Sequence, residues 1–104
     1  MLPVFTLTID AVSPGTARLQ LSGHLDDTAA REVLHAAADL VRAGCAGLVV
    51  DLDGLTSYDS EATYAVVGCV RLARWLSQGV DVVAEHKPGR ALVAEAGLSR
   101  AQLV

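Results

Sequence analysis

The chain has 104 residues, 52% of them hydrophobic and only 4% aromatic, and carries a net charge of −4. That length fits a single domain over residues 1–104, and the apolar content fills one core, which excludes a disordered chain. Eight basic residues against twelve acidic ones, with no basic run, exclude the concentrated positive face of a nucleic-acid binder.

Phe5-Thr6-Leu7-Thr8-Ile9 and Ala17-Arg18-Leu19-Gln20-Leu21 both alternate apolar with polar residues. Pro14-Gly15 between them is a turn signal, so a hairpin of two half-buried strands is expected. Ser22-Gly23 reads as the end of the second strand. Asp26, Asp27 and Thr28 offer N-caps for a helix whose inner face is Ala30, Val33, Leu34, Ala37 and Val41. Gly44 stops it. Gly47 to Leu52 is nearly all apolar, as expected of a central strand covered on both faces. Asp53 to Tyr58 reads as a loop rich in turn residues. A second helix is expected from Ser60 to about Ser77, burying Ala62, Ala65, Val66, Cys69, Ala73 and Leu76. Val80 to Ala84 is the next strand. Pro88 opens a third helix, with Leu92, Val93 and Ala96 inward and Gly97 at its end. Leu98 to Val104 fits either a short strand or a last half-turn. The order β-β-α-β-α-β-α predicts a small α/β domain with a mixed, mostly parallel sheet of about four strands covered by helices.

Cys45 and Cys69 lie far apart without a CxxC or a histidine pair, so both read as reduced core-like residues. Met1 to Thr6 lacks the basic and apolar regions of a signal peptide, and the apolar run Ala46–Val50 is too short to span a bilayer. A soluble, cytoplasmic protein with no direct membrane insertion is expected.

The stretch Val49 to Ala62 holds the best candidate site. A buried strand feeding a polar segment and then a helix places that segment at the strand's carboxyl end, where open α/β sheets carry their functional residues. Ser60 at the helix start would lie at the positive end of the macrodipole, where a phosphate is stabilised. On local sequence alone the stronger reading is that Asp59 or Ser60 simply caps the helix, worth about 1 kcal/mol. His24, His35 and His86 are too dispersed for a metal set, and no G-x-S-x-G elbow surrounds Ser60. Gly44 and Gly47 form no phosphate loop. No catalytic residue, cofactor or metal site is expected. Tyr64, Arg71, Arg74 and Trp75 fall on the outer side of the second helix, either as interface anchors or as a solvated face.

Three stretches in order resemble one family. Leu52-Asp53-Gly54-Leu55-Thr56-Ser57-Tyr58-Asp59-Ser60 resembles the STAS signature in which a strand leads through D-S-x-G into a helix. Leu21-Ser22-Gly23-His24-Leu25-Asp26 is similar to the family's L-x-G-E-L-D element, and Glu95-Ala96-Gly97-Leu98 to its closing G-L. The combination resembles the anti-sigma factor antagonists of the STAS family.

The resemblance implies that a partner anti-sigma factor, itself a serine protein kinase, binds this chain and is released when the serine after the aspartate is phosphorylated. By position Ser60 is the acceptor, and Asp26, Asp59, Glu61 and Ala62 share its partner-binding surface. A weak homodimer is also allowed for. Two positions depart from the pattern: Glu61 puts a negative charge beside the acceptor, and Ala62 replaces a glycine, adding a methyl to the expected contact surface. His24 in place of the usual Glu is a lesser departure. The alternative is a non-phosphorylated STAS module docking constitutively, as a subunit of a lipid-transport ATPase or as a signalling scaffold. A nucleotide or small-ligand sensor is a third class, resting only on the helix N-terminus and family analogy.

Overall fold

The computed structural model describes residues 4–98. Strand β1 (Thr6–Ser13) turns at Pro14-Gly15 into β2 (Thr16–Leu25), and the two pair antiparallel with Ile9 opposite Leu19. Helix α1 (Asp27–Arg42) crosses to β3 (Gly47–Tyr58), which lies parallel to β2. A single 3-10 turn (Ser60–Ala62) precedes α2 (Tyr64–Ala73), and β4 (Gly79–Val83) then pairs parallel with β3 before α3 (Lys87–Ala96). Spatial order equals chain order, β1-β2-β3-β4. The fold is therefore the small α/β domain with a mixed sheet that the alternation of strands and helices implies.

One core holds it together. Leu19, Leu21, Leu48, Val50, Leu52 and Val82 point from the sheet into a cluster with Ala30, Val33, Ala37, Val66, Cys69 and Leu92 from the helices. Strand residues of the other parity, among them Arg18, Gln20, Val49, Asp51 and Asp53, are only half-buried. The helices thus cover one face of the sheet, and β3 is not enclosed on both faces as its apolar run suggested. A glycine lets α1 and α2 lie close: a Cβ on Gly68 would come within 2.4 Å of the Leu34 side chain.

Several boundaries differ from the sequence reading. Ser22-Gly23 does not end β2, and Asp53 to Tyr58 is not a loop; both belong to strands that continue side by side. Backbone pairing across the sheet outweighs the local turn preference of these residues. The register slips between Gln20 and Ser22 and again between Gly23 and His24. The second helix also ends at Ala73, with turns rather than helix at Arg74 to Gln78. Leu98 has no regular structure, and the segment after it lies outside the described residues.

Both cysteines are free; Cys69 is buried and Cys45 half-exposed. Burial pushes the Cys69 thiol up to about 12, so it carries almost no thiolate at neutral pH. Counting thiols with a disulfide reagent should find one fast-reacting group in the native protein and the second only on unfolding.

Candidate functional site

The carboxyl ends of β2 and β3 and the first turns of α1 and α2 meet at one tip. Asp26 caps α1: its backbone is extended, and its Oδ1 accepts from the Ala29 N–H at 2.8 Å. Asp59 follows β3, and its N–H donates to the Leu25 carbonyl at 2.9 Å, tying the two strand ends together. Thr63 Oγ1 donates to the Ser60 carbonyl at 3.0 Å. Ser60 and Glu61 are exposed. Among the described residues the Ser60 hydroxyl makes no hydrogen bond, so it stands open to a partner.

The extra length of β2 and β3 has a chemical result at this tip. The register sets His24 beside Ser57, with Nδ1 2.7 Å from Ser57 Oγ. Nε2 lies 3.0 Å from Asp59 Oδ1, with side-chain exposures of 24% for His24 and 44% for Asp59. Asp59, used as an acceptor by His24, makes no side-chain cap to the turn that follows it. The capping reading of Asp59 and Ser60 therefore fails, because the imidazole holds the carboxylate and the segment opens as a 3-10 turn. The same turn places Ser60 four residues ahead of α2, so the macrodipole reaches it only in weakened form.

Asp26, Asp59, Ser60 and Glu61 lie at this one tip, whereas Ala62 does not reach its surface. It is fully buried. Its methyl packs into the core, where the 3-10 turn directs it, and cannot touch a partner. Glu61 remains the departure that matters at the surface. A phosphate on Ser60 carrying two charges about 6 Å from an exposed Glu61 would meet a repulsion of ~1.4 kcal/mol in water.

Two tyrosines brace the tip. Tyr64 Oη donates to Asp27 Oδ1 at 2.7 Å, while Arg31 Nη2 holds Asp27 Oδ2 at 2.6 Å, joining the first turns of α1 and α2. The hydrogen bond to Asp27 raises the Tyr64 phenol above its usual range. Tyr58 Oη donates to Glu95 Oε1 at 3.1 Å, and burial foremost, then Glu95, raises its phenol too. Asp53 accepts from the Glu85 N–H at 2.7 Å and the His86 N–H at 3.3 Å, fixing the segment before α3. Tyr64 thus belongs to the tip, whereas Arg71, Arg74 and Trp75 lie at the other end of α2.

The sequence reading missed the part played by His24. The motif marked it only as a lesser departure from the usual Glu, and its contact with Ser57 and Asp59 follows from a bulged parallel register.

Comparison with known proteins now gives the class. The family model described as "Mlab, STAS domain" matches residues 10–104. The chain belongs to the STAS domain family. Comparison with curated proteins gives no sequence match. Among solved structures, the anti-sigma factor antagonist SpoIIAA in its unphosphorylated form is similar at a TM-score of 0.78 and 17% identity, covering 95% of this chain and 86% of that one. An anti-sigma factor antagonist from Mycobacterium paratuberculosis gives 0.81 and 21%, with 96% and 85% covered. The Bacillus cell fate determinant SpoIIAA in its phosphorylated form gives 0.76 and 17%, with 95% and 89% covered. At these identities the likeness shows the fold. No helix among the described residues is long and apolar enough to cross a membrane.

Proposed function

We propose that this protein is an anti-sigma factor antagonist that binds a serine-kinase anti-sigma factor in the cytoplasm and is released by phosphorylation of Ser60. The observation that carries the reading is the tip itself. An exposed serine with an unengaged hydroxyl sits directly after an aspartate, at the end of the strand where the fold's functional residues gather. Asp26, Asp59 and Glu61 surround it, so a phosphate would turn an already acidic surface strongly negative and expel a partner docked there. The fold shared with anti-sigma factor antagonists, one of them solved phosphorylated, supports the same reading. The protein contributes a surface and an acceptor hydroxyl; the kinase supplies the chemistry.

The reading is tested by incubation with the cognate kinase and ATP, followed by mass spectrometry. One phosphate on Ser60 is expected. A label on another residue, or none, sinks it. Glu61→Ser should then speed the modification, because it removes the charge beside the acceptor. Ala62→Gly should act only on stability, by roughly 1 kcal/mol through lost burial and the added backbone freedom of glycine.

Glu61 also favours a second reading, a STAS module docking constitutively as a transporter subunit or scaffold. A fixed carboxylate next to the acceptor would disfavour the phosphorylated state or imitate part of it. Such a module would bind equally well with or without phosphate.

A further inference from the structure

Trp75 is 81% exposed, more than any other large apolar side chain among the described residues, and it is the chain's only tryptophan. A lone exposed apolar residue is ordinary, but this one has company. Leu72 beside it is 40% exposed, Arg71 and Arg74 are exposed, and the Arg74 guanidinium lies over the indole, 5.0 Å from the ring centroid. Arg18, Arg31 and Arg42 each pair with a carboxylate, whereas among the described residues Arg71 and Arg74 pair with none. An indole and two uncompensated guanidinium groups are the side chains that contribute most at protein interfaces.

The opposite charge lies at the other end of the same helix. Asp26, Asp27, Asp59 and Glu61 gather at the tip, met among the described residues only by Arg31 and His24. Ten residues of α2 separate the two surfaces by on the order of 15 Å, so a patch cannot reach the tip of its own chain. Two patches facing one another would set arginine against arginine, so a symmetric dimer through this face is opposed. We propose that the Arg71–Trp75 patch of one copy docks on the acidic tip of a second copy, head to tail. Joining two different surfaces in this way extends into open chains rather than closing as a pair. It also covers the tip, so self-association and a partner bound there exclude one another. The proposal itself does not depend on the Ser60 switch, and its test needs no kinase.

Sedimentation of the full chain from low micromolar to millimolar concentration at low salt tests it, with tryptophan emission read on the same samples. Trp75 alone reports, so burial of the patch appears directly as a blue shift. The expected result is a weight average that keeps rising past the dimer, with a shift in emission, both reversed by added salt. Arg71→Gln with Arg74→Gln, and separately Glu61→Lys, should each weaken the association at least tenfold. An equimolar mixture of these two variants should recover pairs that stop at two, because one keeps its tip and the other its patch. A wild-type protein that stays monomeric with unshifted emission overturns the proposal, as does a plateau at a closed dimer. If a variant misfolds in a thermal melt, the wild-type series still decides.

Discussion

Ser60→Asp is expected to weaken the complex with the cognate kinase by tenfold or more, while Ser60→Ala leaves it intact. The added carboxylate joins Asp26, Asp59 and Glu61 on one tip. In a docked surface that excludes water, an unpaired charge costs several kcal/mol, and each ~1.4 kcal/mol is tenfold in affinity. Ser60→Ala brings no charge. It also removes no cap, because the Ser60 side chain makes no cap bond and Asp59 is turned to His24. Its stability change should stay within about 0.5 kcal/mol, as for an ordinary surface substitution. Calorimetric titration of both variants, after a thermal melt, reads the difference; equal affinities would rule out control by charge at Ser60.

Gly23→Ala is expected to cost the largest stability loss of any single methyl added to this chain. Gly23 has φ near +90°, and a Cβ there would lie 1.8 Å from the Val4 carbonyl oxygen and 2.9 Å from its carbon. The obstacle is backbone, so no rotamer relieves it. The left-handed conformation alone costs about 1–2 kcal/mol for an L-residue, and the strand contact must open besides, giving at least ~3 kcal/mol in all. A domain of this size loses roughly 4–8 °C of Tm per kcal/mol, so thermal melts should show a fall of more than ~10 °C. Gly44→Ala is the control: φ is +94°, but no atom of the described residues lies within 4 Å, and only the conformational term remains. Equal losses at the two positions would show that the approach of Val4 does not matter. Because the bulge at Gly23 aligns His24 with Ser57, the same substitution should loosen the tip as well.

Local periodicity made much of this fold legible. Leu19 and Leu21 alternate with polar neighbours, and Ala30, Val33 and Ala37 recur at helical spacing; all five are buried. Asp26 announced its cap, and Gly44 and Gly97 stand just past the ends of α1 and α3. The misplaced features are those fixed by pairing distant in sequence. Asp53 to Tyr58 has turn composition, yet it extends a strand because residues 22–25 lie beside it. Val49 and Asp51 looked enclosed in an apolar run, but which face the helices cover is decided by how two crossovers and the final helix pack. Ala62 occupies a motif position read as surface, and a 3-10 turn rotates it into the core. At the tip, Asp26, Asp59, Ser60 and Glu61 could be named from the motif. His24 stood in the motif only as a departure from Glu; its contact with Asp59 depends on a register slip with no local mark.

The measurement that bears most directly on the Ser60 tip as the partner-binding surface is an NMR footprint of the labelled chain on addition of the cognate kinase. The expected result is that the amides of Asp26, Asp59, Ser60 and Glu61 shift or broaden first, and that the effect disappears once Ser60 is phosphorylated. Changes centred instead on Arg71 to Trp75, and unaltered by the phosphate, would contradict it and assign the chain to constitutive docking through the far end of α2.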